Sequence, residues 1–360
     1  MENEINFDNI LKIYDNEISK HVKNYRKLRD FELNKMQNIN NICCMLKKGY
    51  VGHTKYNIFL IYEPKCRLIV SLDVTDKVIN QFICRYSLEP NLTKYLDFRN
   101  SATRKNMGTD YAINLVIKFI EKCKRKGTEI YALKIDISKY FYNINHDILK
   151  GMLKDKLCPF EYDLICKIID STDYEYVNDS INSLCELNNI DMPRYKKGRG
   201  IGVGLVTSQF LSIFYLSKID HYIVNDLKLP LYSRYMDDFL ILSNDLKKLK
   251  KAKRVITKKL KEELDLDINK KKTKIYNLKN GVTFLGYIFK VNENGKTIVL
   301  ITKSNFDKVK RRVKQVRYDL FKGFISHESA LSSIMTYSNC YIHSNNRKVL
   351  NIIEKSFYNE

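Results

Sequence analysis

Three acidic residues stand where acids are costly. In the segment 129–137, EIYALKIDI, alternation predicts a strand with Ile130, Ala132, Lys134 and Asp136 on one face and Tyr131, Leu133, Ile135 and Ile137 on the other. A carboxylate at the end of so apolar a strand needs a partner, because burying it alone is expensive. The second anomaly is Tyr235-Met236-Asp237-Asp238-Phe239-Leu240-Ile241-Leu242, two adjacent acids between apolar runs that should pair as a hairpin. A polar hairpin tip would explain an isolated Asp pair, yet no Gly or Asn is present to make a two-residue turn easy. If the two strands are neighbours, Asp136, Asp237 and Asp238 converge on one all-oxygen cluster. Hard divalent cations take such ligands, and two Mg²⁺ ions roughly 3.5–4 Å apart can serve an in-line phosphoryl displacement. One lowers the pKa of an attacking 3′-hydroxyl; the other neutralises a triphosphate and its pyrophosphate leaving group.

The elements that must position these acids are irregularly mixed. Residues 1–50 read as polar helix, 55–72 as a hairpin broken at Glu63-Pro64, and 73–125 as helices around an irregular 98–109. After the strand at 129–137 come helical 145–170, a glycine-rich loop at 196–204, and an apolar helix at 206–224. The strand–turn–strand of 229–243 precedes a basic helix (246–264), further strands (TKIYNL, VTFLGYIFKV, TIVLIT) and a helical tail from 304. Strands interrupted by helices without regular alternation indicate an α+β fold.

The 360 residues carry 63 Lys+Arg against 41 Asp+Glu, a net charge of +22 that points to a polyanionic partner. A codon bias could raise lysine content, but it would not cluster charge at 122–126, 247–261 and 308–317. In the last, Phe306, Val309, Val313, Val316 and Leu320 recur at helical spacing. Lys308, Lys310, Arg311, Arg312, Lys314 and Arg317 take the other faces, with a capping-box-like start at Ser304/Asp307 and a stop at Gly323. No apolar run is long enough to span a bilayer and the N-terminus is acidic, which argues against a membrane or secreted protein. Nine cysteines without a CxxC pair suggest buried free thiols in a reducing cytoplasm, so a cytoplasmic location is expected. The six histidines are scattered, leaving metal chemistry to carboxylates.

At this point the motifs resemble those of the reverse transcriptases, from about residue 55 to 345. LKIDISKYF is similar to the first catalytic motif of that family, with Asp136 as metal ligand and Ile137 counted with it. RYMDDFLIL resembles the YxDD motif, with Asp237 and Asp238. Between them GVGLVTSQF is similar to the template- and nucleotide-contacting motif, with Gly204, Ser208 and Gln209. Three ordered motifs are more specific than YMDD alone. The resemblance implies an RNA-directed DNA polymerase with a right-hand architecture. Its parts would be an N-terminal helical extension (1–54), fingers (55–127), an antiparallel palm (128–300, with a helical insert at 145–200) and a short helical thumb (301–360). It further implies that Lys65, Arg67 and Arg104 face the incoming triphosphate, and that Phe141 excludes a 2′-hydroxyl. Lys272 would protonate pyrophosphate, although Lys271 and Lys274 are nearly interchangeable with it by sequence. Ordinary surface charge for Lys65 and Arg67, and a core role for Phe141, are the bland alternatives. Two Mg²⁺ ions, with Mn²⁺ as substitute, are the implied cofactors; dNTPs, an RNA template and a DNA or RNA primer are the implied partners, with no membrane.

Ser208-Gln209 stands where group II intron and retron enzymes carry Ser-Pro, so the chain looks most like the diversity-generating retroelement type, which would work with a small helical accessory protein. Cys66 and Thr75-Asp76 depart from that pattern. The alternative is an antiphage-defence enzyme with a cognate non-coding RNA, copying it or synthesising DNA without a template or from a protein primer. After the thumb no chain remains for a maturase, endonuclease or RNase H region, on this reading. A non-catalytic, maturase-like RNA-binding factor is the alternative of another class, and the complete acid set argues against it.

Overall fold

The computed structural model describes residues 1–22, 24–51, 55–62, 66–127, 129–339 and 344. They fall into two compact units, each discontinuous in sequence: 1–97, 137–221 and 257–267 form the first, and 98–136, 222–256 and 268–360 the second.

The first unit is mainly helical. Asn6 starts the helix Phe7–Ile13 by accepting a hydrogen bond from the Asn9 amide at 2.9 Å, and Asn24 does the same for Tyr25–Leu33 from Lys27 at 3.2 Å. Ile10, Ile39, Ile42 and Leu46 of the N-terminal helices are fully buried, as are Val78, Ile79, Phe82 and Ile83 of Val74–Ile83. Each such side chain contributes about 1.5–3 kcal/mol by leaving water. A two-stranded antiparallel hairpin, β1 (Asn57–Ile61) and β2 (Arg67–Ser71), pairs Ile61 with Arg67 and Asn57 with Ser71. Leu68 and Val70 face a core made with Val177, Ile181 and Cys185 of the helix Glu175–Asn188 and with Tyr195 and Leu205. The sequence reading missed that helix as a separate element. The helix Val206–Tyr215 is buried along nearly its whole length, its polar Thr207, Ser208 and Ser212 included.

The second unit holds the sheet that matters for chemistry. β3 (Tyr131–Asp136), β4 (Tyr232–Tyr235), β5 (Asp238–Ser243) and β6 (Lys274–Asn277) form an antiparallel sheet in the order β4-β5-β3-β6. β7 (Val282–Phe284), β8 (Tyr287–Val291) and β9 (Thr297–Ile301) make a second antiparallel sheet. One face of the helix Thr109–Lys124, carrying Ala112, Ile113, Val116, Phe119 and Ile120, packs with Ala132, Leu240 and Leu242 of the first sheet. Phe284, Phe289 and Val299 of the second sheet join the same core. The β7–β8 turn is Leu285-Gly286, both at positive φ (50° and 82°), as a two-residue hairpin turn demands. A Cβ on Gly286 would collide with the Asn305 side-chain amide, so glycine is required there.

The basic helix runs Leu246–Leu264, as its pattern foretold. The tail differs at one end. The helix Lys303–Phe321 has Thr302 as its N-cap, without a side-chain cap bond, so the Ser304 start was two residues late. Its other end is the anticipated one: Gly323 at φ 69° donates to Leu320 O and Phe324 N to Asp319 O, the two bonds of a Schellman stop. Val313 and Val316 are buried while Lys310, Arg311, Arg312, Lys314 and Arg317 are exposed. No described helix is long and apolar enough to cross a membrane. The eight described cysteines are all free, but Cys44 and Cys158 are exposed, which corrects the expectation of uniformly buried thiols; Cys340 lies outside the described residues.

Candidate active site

The register of the first sheet brings the three acids together. Asp136 ends β3 directly opposite Asp238, the first residue of β5, and Tyr235 pairs with Asp238 across the hairpin. Met236 and Asp237 are therefore the two-residue turn. Met236 adopts φ 55°, the left-handed conformation such a turn needs in its first position and one that costs a non-glycine residue about 1–3 kcal/mol. Arg234, fully buried, supports the strained turn by donating from Nη1 to Met236 O at 2.9 Å. The absence of Gly or Asn in this turn is thus a real local cost, held in place by surrounding structure.

Two lysines sit among the acids. Lys272 Nζ lies 3.0 Å from Asp136 Oδ1 and 3.1 Å from Oδ2. Of Lys271, Lys272 and Lys274, Lys272 is the one whose ammonium reaches Asp136. Lys134 Nζ is 3.2 Å from Asp238 Oδ2 and donates to Thr283 O at 2.8 Å. The other oxygen, Asp238 Oδ1, is buried and has no hydrogen-bond partner. Burial, reinforced by the neighbouring Asp237 and Asp136 charges and opposed by Lys134, pushes the Asp238 carboxyl up to about 6. Burial also raises Asp237, with the Asp136 charge adding to it. Below Asp136, the Thr273 hydroxyl lies 3.3 Å from its amide, and Asn269 N donates to its carbonyl at 2.7 Å.

These features test whether the residues fit a divalent metal, and they do. The donors are carboxylate oxygens, the set a hard cation takes. One of them is a buried orphan, which in a native site calls for an unseen partner. The cations that approach the others, Lys134 and Lys272, occupy the space around the acids with the charge a metal would supply. Ile137, buried at 2 %, has only its main-chain carbonyl to offer. Lys134, Thr273 and Arg234 were not foreseen as site residues. Lys134 was legible in principle, since it lies two residues before Asp136 on the same strand face.

The remaining candidates are described within their own units. In the second, Arg104 donates to Asn100 O at 3.1 Å. In the first, Arg67 opens β2 and is exposed; Lys65 lies outside the described residues. Phe141, half-buried, stands edge-on to Tyr140 at 5.7 Å, and its carbonyl accepts from Ile201 N. Ser208 is buried and Gln209 half-buried on Val206–Tyr215. Gly204, at φ 115°, has no room for a side chain because a Cβ would stand 2.7 Å from Val70 O of β2. Contact with the chain's own strand thus requires glycine here.

Residues 46–289 match the family described as reverse transcriptase (RNA-dependent DNA polymerase). The chain belongs to the reverse transcriptase family. The acid cluster falls inside the matched span. Among solved structures, the chain is similar to apo telomerase from Candida tropicalis truncated from its C-terminal domain (16 % identity, TM-score 0.48, covering 68 % of this chain and 55 % of that one). It is also similar to apo telomerase from Candida tropicalis (15 %, 0.48, 84 % and 62 %). A third is telomerase from Candida albicans in complex with a fragment of telomeric RNA (14 %, 0.46, 84 % and 64 %). The chain spans 55 % to 64 % of the length of these structures. A comparison with curated proteins finds no match.

Proposed function

We propose that this reverse transcriptase extends a primer 3′-hydroxyl with dNTPs on an RNA template, using Asp136, Asp237 and Asp238 to hold two Mg²⁺ ions, which Mn²⁺ could replace. The observation that carries the reading is the opposition of Asp136 and Asp238 beside the Asp237 turn, with Asp238 Oδ1 buried and unpartnered. Bound metal would supply a more acidic 3′-hydroxyl and charge neutralisation at the triphosphate. The chain's own residues supply the rest. Lys134, itself anchored by donating to the Thr283 carbonyl, pairs with Asp238 Oδ2, which leaves the buried Oδ1 without a hydrogen-bond partner. Lys272 Nζ pairs with Asp136; with a metal held on that carboxylate, Lys272 would be the proton donor to the pyrophosphate oxygen.

The same proposal assigns Lys65, Arg67 and Arg104 to the triphosphate, Phe141 to rejection of the ribose 2′-hydroxyl, and Gly204, Ser208 and Gln209 to the nascent pair. The division into N-terminal extension, fingers, palm and thumb belongs to the same proposal. Ser208-Gln209 favours the diversity-generating retroelement type, with a small accessory protein as partner; a defence enzyme with its own non-coding RNA is the competing assignment.

Extension of a labelled primer on RNA, followed by sequencing of the product, tests the proposal. Products complementary to the template support it. Products unrelated to the template, or attached to protein, favour the defence type; no nucleotide incorporation with any template would overturn polymerisation.

A further inference from the structure

A second acid cluster, outside the palm acids, contains an imidazole. His146 opens the helix His146–Leu153, Asp170 closes Pro159–Asp170, and Asp173 ends the short turn that follows. One ligand atom from each lies within 4.8 Å of the others. His146 is 1 % exposed, and its Nε2 is 2.6 Å from Gly200 O. A carbonyl only accepts, so Nε2 carries a proton. Nδ1 then faces the two carboxylates and makes no hydrogen bond to either.

Two chemistries suit such a ring: an imidazolium donating to the acids, or a neutral ligand sharing a cation with them. Distance separates them. Charge-assisted N–H···O bonds close to about 2.7–2.9 Å. Donors around a tetrahedral ion, with bonds of about 2.0–2.2 Å, stand about 3.4 Å apart. Nδ1 is 3.3 Å from Asp170 Oδ1 and 3.6 Å from Asp173 Oδ2. The carbonyl behind Nε2 is also the partner that fixes the tautomer of a metal-bound histidine. The carboxylates are held in turn: Lys150 Nζ is 2.6 Å and 2.7 Å from the Asp170 oxygens, and Gly198 N is 3.0 Å from both oxygens of Asp173.

We propose that His146 Nδ1, Asp170 and Asp173 form a structural site for a borderline divalent cation of the zinc class. An imidazole donor disfavours Mg²⁺. Occupancy fastens the glycine loop that precedes Val206–Tyr215, because the same residues bind it. His146 N donates to Gly198 O at 3.0 Å, Asp173 accepts from Gly198 N, and Gly200 O takes both the imidazole and the Thr172 hydroxyl at 2.8 Å.

Chelator-stripped full-length protein titrated with Co²⁺, read by visible absorption, tests this. Wild type should develop the intense bands of four-coordinate Co²⁺, which Zn²⁺ abolishes and excess Mg²⁺ leaves. Asp173→Asn and Asp170→Asn should each weaken Co²⁺ binding at least about ten-fold, and the Asp136→Asn/Asp237→Asn variant should bind as wild type does. His146→Gln should abolish the bands; since His146 is buried, the two Asp variants carry the test where that one unfolds. Wild type without a saturable four-coordinate spectrum, or variants that bind Co²⁺ equally, would overturn the proposal. So would an imidazole titration in the stripped protein that zinc does not suppress.

Discussion

The chain gathers acids twice, and the two clusters differ in what stands beside them. Asp136, Asp237 and Asp238 sit at a strand end and in a strained hairpin turn, with only oxygens as donors and lysines as neighbours. His146, Asp170 and Asp173 sit at helix ends, with an imidazole whose far side is tied to a loop carbonyl. In the first, Lys272 holds Asp136 by an ion pair that, on the proposed function, a bound cation would displace. The second fixes its donors through the backbone of the loop they hold. On the two proposals, three carboxylates serve turnover in one place and two carboxylates with an imidazole serve shape in another, and the neighbours decide which.

The largest expected effect breaks the comparison cleanly. Asp136→Asn and Asp237→Asn should each lower primer extension on the order of 10³-fold, the equivalent of about 4 kcal/mol of transition-state stabilisation. Asp173→Asn should leave the rate at 25 °C within a few-fold and lower the melting temperature instead. Single-turnover extension and thermal melts on the same preparations make the check.

Lys272→Gln comes next. It should reduce the extension rate on the order of 10²-fold through loss of the proton donor, yet lower the Mg²⁺ concentration needed for half-maximal rate, because Asp136 loses its competing ammonium. A metal titration of the rate separates the two effects, and an unchanged Mg²⁺ requirement would remove Lys272 from that role.

Stability against pH gives a third separation. In metal-free protein the folded Asp238 carboxyl, pushed up to about 6 mainly by burial, lies above its unfolded value of about 3.9. The fold therefore keeps this contribution in full below pH 4 and loses it as pH rises through 6, on the order of 3 kcal/mol by neutral pH. Asp238→Asn should flatten that slope, raising stability at pH 8 and changing little at pH 4 in urea titrations.

Much of the first cluster was legible because strands repeat every two residues. Alternation in 129–137 and the apolar flanks of Asp237-Asp238 gave the strands and the hairpin, while the neighbouring of β3 and β5 stood only as a condition that the register meets. The roles of Thr273 and Arg234 were not legible, since each depends on a register or backbone contact that periodicity does not carry. Thr273 and Asp136 meet only because a third strand, β6, returns beside β3. The second cluster was invisible for the same reason. Residues 146, 170, 173 and 200 have no motif spacing, and scattered histidines gave no reason to expect an imidazole in a metal site. The helix Glu175–Asn188 escaped because its polar sequence lacks a strong apolar stripe beyond Val177, Ile181 and Cys185.

The smallest effect concerns the turn. Met236→Gly should relieve the left-handed strain and stabilise the fold by about 1 kcal/mol, seen as a small upward shift in the urea midpoint.

Counting Mn²⁺ ions by electron paramagnetic resonance, on protein bound to primer–template and a non-hydrolysable dNTP, tests the central claim most directly. The account predicts two ions in the wild type and in Asp173→Asn that are lost in Asp136→Asn/Asp237→Asn. Full Mn²⁺ occupancy in the palm-acid variant, with its fold intact, would contradict it.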